Sequence, residues 1–78
     1  MNPKIEDVIR EQFPGAKFDP SDPHLGVGSF PEWDSLGTFN LLLLVEQTYG
    51  VRFSTEEMAE LKTAAAIRAR LANLGVTA

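Results

Sequence analysis

The sequence predicts an all-α fold, a small four-helix bundle with a long loop between its first and second helices. Three observations predict it. Apolar residues recur at helical spacing in separate segments, capping residues and breakers punctuate those segments, and no stretch alternates convincingly as a strand would.

Asn2 suits a first helix as its cap and Pro3 suits its first turn. Ile5, Val8, Ile9 and Phe13 then recur with helical period until Pro14-Gly15 stops them. Pro14 to Asp34 holds four of the five prolines, three of the six glycines and no clean periodicity, which predicts a long loop with room for one short helical turn. A connection of this length is uncommon in a compact domain unless it is functional or packed down by its own apolar residues, here Leu25, Val27, Phe30 and Trp33. The second helix is expected to begin at Asp34 or Ser35 and run through Tyr49, with Gly50 ending it in a left-handed conformation. Ser54 and Glu57 match a capping box, so a short third helix should cover roughly Thr55 to Leu61 with Met58 and Leu61 inward. Thr63 can cap a fourth helix, whose stripe of Ile67, Leu71 and Leu74 ends at Gly75. One continuous helix from Thr55 to Leu74 is the competing expectation.

At 78 residues the chain suffices for one domain, taken as 1–78, and is too short for a second core or a deep enzyme pocket. Hydrophobic residues at 44% and charged residues at 23% are those of a chain that folds. Without cysteine, neither disulfides nor thiolate metal sites contribute, so helix packing must hold the domain together. The opening Met1-Asn2-Pro3-Lys4 lacks the apolar core of a signal peptide, and the longest apolar run, Leu41 to Val45, is far too short to span a bilayer. A cytoplasmic location without membrane insertion is the expectation. The net charge of −4 repels phosphate backbones and speaks against a nucleic-acid partner.

On the second helix, Thr38, Leu41, Leu42, Val45 and Tyr49 fall on one arc, the expected core face. Leu36, Phe39 and Leu43 fall roughly opposite, with Gln47, flanked by Asn40 and Glu46. Leu44 lies between the arcs. Two explanations of the second stripe stand open: the long loop folds over it, or it docks partners.

Asp34-Ser35-Leu36, after a long loop and at the start of an amphipathic helix, resembles the attachment motif of the acyl and peptidyl carrier proteins. The resemblance covers nearly the whole chain: a helix, a long loop, Trp33-Asp34-Ser35-Leu36, a long second helix, the Gly50-Val51-Arg52-Phe53 connection, an acidic short helix and a last helix. It implies a non-catalytic carrier whose Ser35 hydroxyl bears 4′-phosphopantetheine through a phosphodiester, and whose cargo is an acyl or aminoacyl thioester. It implies as partners a phosphopantetheinyl transferase, an acyl-loading or adenylating enzyme, and a downstream acyltransferase, ketosynthase or condensation enzyme. A monomer is expected. Asp34 belongs to the motif and to the helix start, and Leu36 is placed as a partner contact, with Phe39 and Leu43 as further docking residues. A helix N-terminus tolerates the phosphodiester charge through its free N–H groups and positive dipole end. Capping is the commonest reason for Asp and Ser ahead of a helix, and remains a second role for Asp34.

The chain departs from the bacterial carriers of fatty-acid synthesis, whose second helix is rich in carboxylates. Gly37 and Asn40 stand at positions often acidic there, and after Asp34 the helix contributes only Glu46. Trp33 and the leucine-rich helix look more like carriers of polyketide, nonribosomal peptide or other dedicated pathways. An unmodified helical adaptor with the carrier fold is the alternative from another class. No hydrolase machinery can be assembled from one histidine and scattered carboxylates. His24, near Asp19 and Asp22, lacks partners at metal-ligand spacing, so no metal site is expected. Trp33 fits better as a residue pinning the loop than as a docking anchor. Lys62, Arg68 and Arg70 fit the helix dipole better than a phosphate site.

Overall fold

The computed structural model describes residues 3–78. They form α1 (Ile5–Gln12), α2 (Ser35–Tyr49), α3 (Thr55–Glu60) and α4 (Ala64–Asn73), with no strand among the described residues. Ile5, Val8 and Ile9 of α1, Leu41, Leu42 and Val45 of α2, and Ile67 and Leu71 of α4 are all but sealed from solvent and form one continuous core. The apolar periodicity therefore identifies the packed faces of these three helices. No helix among the described residues is long and apolar enough to cross a membrane.

The start of α1 differs from expectation. Asn2 lies outside the described residues, Lys4 is the N-cap without a side-chain cap bond, and Pro3 precedes the helix instead of opening it. Two distant groups account for this start. The Tyr49 hydroxyl donates to Pro3 O at 2.7 Å, and the orphan N–H of Ile5 donates to Ala78 O at 3.2 Å, a backbone substitute for a cap.

From Phe13 to Asp34 the chain makes successive tight turns and no helix, so the short helical turn is absent. Leu25, Phe30 and Trp33 are buried, and Phe13 stacks on Trp33 at 5.7 Å and meets Phe30 edge-on at 5.2 Å. Val27, expected inside, is 45% exposed. Its backbone explains why: Val27 N–H donates to Lys62 O at 2.9 Å and Ala64 N–H donates to Leu25 O at 2.8 Å, which seats Leu25 in the core and turns Val27 outward. Gly26 forms the resulting bridge with Thr63, and any Cβ there would collide with the Lys62 carbonyl.

That bridge also decides between one helix and two after Thr55. Lys62 O and Ala64 N–H are used by the loop, Thr63 is extended, and its hydroxyl caps α4 by accepting from Ala66 N–H at 3.0 Å. The continuous helix is thereby ruled out. The Ser54–Glu57 capping box opens α3 as expected, and Leu61 is buried just past its end while Met58 is half-buried. Gly50 ends α2 with φ 68°. The fourth stripe stops one turn early, because Leu74 is exposed. Gly75 N–H and Val76 N–H donate to Ala72 O and Leu71 O, reversing the chain before Leu74 can turn inward.

Candidate functional site

The start of α2 is held by three linked hydrogen bonds. Trp33, 1% exposed, donates from Nε1 to Thr38 Oγ1 at 2.9 Å, and that hydroxyl donates to Asp34 O at 2.8 Å. Asp34 Oδ1 accepts from Gly37 N–H at 2.8 Å, which makes Asp34 the N-cap. The last turn of the loop is thus locked to the first turn of the helix. Trp33 is the pin of the loop, and its burial removes it as a docking anchor.

Ser35 follows as the first residue of the helix, exposed, and its hydroxyl makes no hydrogen bond among the described residues. A groove of about 230 Å³ beside it is lined by Val27, Ser35, Thr38, Met58, Ala59 and Lys62. A second recess of about 230 Å³ shares Ser35, Thr38, Met58 and Ala59 and adds Phe39 and Thr55. Ser35 therefore borders both hollows between α2 and α3. These features fit a phosphodiester-linked arm: an accessible nucleophile without a competing partner, a helix N-terminus that accommodates negative charge, and a largely apolar trough alongside.

Gly37 is buried under the loop, where an added Cβ would collide with Glu32 O and lie 3.1 Å from the Phe13 ring. Packing therefore forbids a carboxylate at this position, whatever partner the helix meets. Asn40 is exposed and free of that constraint.

Leu36, Phe39 and Leu43 are 69%, 47% and 37% exposed, so the loop does not cover the second stripe of α2. Leu44 is half-buried at the edge of the core. Glu46 does not flank the stripe as a free charge. Its Oε2 accepts from Phe53 N–H at 2.7 Å and holds the connection between α2 and α3 against the bundle. The sequence carries no local signal for this bond, since the two residues lie seven apart across the Gly50 turn.

The remaining polar candidates separate. Arg70 pairs with Glu57 at 2.7 Å and ties α4 to α3, while Arg68 borders a shallow recess at the end of the chain with Ala72 and Gly75. Lys62 stands apart from both, at the Ser35 groove. His24 is exposed, and its backbone N–H, at 2.9 Å, binds Asp22 Oδ1. No group of three or more His, Cys, Asp or Glu arranged for a metal ion occurs among the described residues. No family model, curated protein or solved structure matches the chain.

Proposed function

We propose that the protein is a carrier that tethers acyl or aminoacyl groups as thioesters on a 4′-phosphopantetheine arm at Ser35 and presents them to partner enzymes without catalysing their reactions. The observation that carries this reading is Ser35 itself: an exposed hydroxyl free of hydrogen bonds among the described residues, at a helix start fixed through Asp34, beside an open groove.

Ser35 Oγ attacks the β-phosphorus of coenzyme A on the transferase. The Oγ–P bond forms, the pyrophosphate P–O bond breaks, adenosine 3′,5′-bisphosphate leaves, and the hydroxyl proton passes to a base of the transferase. The arm, once attached, supplies the thiol that this cysteine-free chain lacks. Asp34 contributes position more than charge, since its carboxylate is engaged by Gly37 N–H and holds Ser35 on the first turn. Leu36 adjoins the attachment point, and Phe39 and Leu43 continue the same exposed face, which suits apolar docking of the transferase, the loading or adenylating enzyme and the downstream acyltransferase, ketosynthase or condensation enzyme. We take the carrier to be a monomer of the cytoplasm, and its apolar face favours a polyketide, nonribosomal peptide or related dedicated pathway over acid-rich docking. Incubation with a broad-specificity phosphopantetheinyl transferase and coenzyme A tests the reading by intact mass.

The uncovered stripe also suits an unmodified adaptor. The two readings part at Ser35: an adaptor leaves it unmodified and binds its partner equally well as Ser35→Ala.

A further inference from the structure

We infer that Lys62 is the counter-charge of the Ser35 phosphodiester and holds the root of the arm against the groove between α2 and α3. The inference rests on the carrier reading of Ser35. Four observations lead to it. Among the described residues Lys62 is the only cation lining that groove, which it shares with Ser35, while Val27, Met58 and Ala59 supply its apolar wall. Its backbone is fixed, because Lys62 O accepts from Val27 N–H at 2.9 Å and Ala64 N–H next to it donates to Leu25 O at 2.8 Å. Its ammonium makes no ion pair among the described residues, whereas Arg70 is consumed by Glu57 and Arg10 by Asp7. The fourth observation is electrostatic. A phosphodiester on Ser35 adds a negative charge next to the Asp34 carboxylate in a chain already at −4, and Glu56 and Glu60 of the nearby α3 carry no ion pair among the described residues. An unpaired cation on a fixed backbone therefore offsets the repulsion. Pairing also draws the arm toward the Val27, Met58 and Ala59 wall of the groove. High salt screens such an exposed pair and loosens the arm.

The test uses ¹³C-methyl-Met, ¹⁵N-labelled full-length protein, wild type and the Lys62→Gln and Lys62→Arg variants, each converted with coenzyme A and checked by mass. The Met58 methyl resonance is followed in apo and modified protein, and the ³¹P resonance in modified protein, from about 0.02 M to about 0.5 M sodium chloride. In the wild type, attachment should shift the Met58 methyl, and salt should move both resonances toward their values in Lys62→Gln. Lys62→Gln should lower the population of the groove-held arm about two- to fivefold at low salt, the range of an exposed ion pair, and Lys62→Arg should largely restore it. Full conversion with identical ³¹P and Met58 shifts in wild type and Lys62→Gln at low salt overturns the role of Lys62 and leaves the carrier reading standing. Absence of any mass gain in the wild type overturns the carrier reading and this inference with it.

Discussion

Trp33 and Thr38 are joined by a buried hydrogen bond of 2.9 Å from the indole Nε1 to the hydroxyl, and the same hydroxyl donates to Asp34 O. Removing the hydroxyl strands a buried donor, which costs more than deleting both partners. Thr38→Val should therefore destabilise the domain by about 1–3 kcal/mol, and Trp33→Phe combined with Thr38→Val should cost clearly less than the sum of the single changes. Denaturant unfolding of the three variants measures it. Strict additivity would mean that the two side chains do not act through one another.

Gly37 is a glycine because the loop lies on it. Gly37→Asp should destabilise by more than about 1 kcal/mol through the collision with Glu32 O, whereas Asn40→Asp on the exposed face should stay within about 0.5 kcal/mol. Equal tolerance of both substitutions in thermal unfolding would contradict this account of the carboxylate-poor helix.

The two faces of α2 should separate stability from docking. Leu42→Ala or Val45→Ala should cost about 1–4 kcal/mol, a large part of the stability of so small a domain. Phe39→Ala and Leu43→Ala should cost less than about 1 kcal/mol in unfolding, yet weaken loading by the cognate enzyme by about 1–2 kcal/mol each. Glu46→Gln should do the reverse, lowering stability through its bond to Phe53 N–H while leaving docking in place. Recognition that is lost with Glu46→Gln and abolished by salt, but indifferent to Phe39 and Leu43, would transfer docking from apolar contact to charge.

Tyr49 should make stability fall at alkaline pH. Burial of its phenol raises the pKa above 10.0, Asp7 adds to the shift, and Arg68 opposes it. Because the folded-state value exceeds the unfolded one, folding favours the protonated phenol. Its contribution is complete below about pH 10 and is lost as the pH rises through the folded-state pKa. The hydroxyl also donates to Pro3 O, so ionisation removes that donor. Unfolding of wild type and Tyr49→Phe from neutral to strongly alkaline pH should show the difference between them shrinking in that window. A constant difference would sink the idea.

Local rules were enough for most of the helix ends, the start of α1 and the break between α3 and α4 excepted. The Ser54–Glu57 box, the Thr63 cap and the glycines after α2 and α4 act within a few residues, and the sequence displays them. What escaped it depends on contacts across the fold. Pro3 is placed by Tyr49 and Val27 by Lys62, separations of 46 and 35 residues (62 − 27 = 35), and no periodicity encodes either. The site divides the same way: the Asp34–Ser35–Leu36 helix start and the apolar stripe could be read along the chain. The fixed role of Glu46, the packing constraint on Gly37 and the groove that Lys62 shares with Ser35 required the folded bundle.

The central claim concerns a single hydroxyl, and intact mass spectrometry after incubation with phosphopantetheinyl transferase and coenzyme A tests it most directly. The wild type should gain one phosphopantetheinyl group and Ser35→Ala none, with both variants showing the same thermal unfolding, since Ser35 makes no hydrogen bond among the described residues. An unchanged mass of the folded wild type with several broad-specificity transferases, or equal modification of Ser35→Ala, would contradict the carrier function or its site.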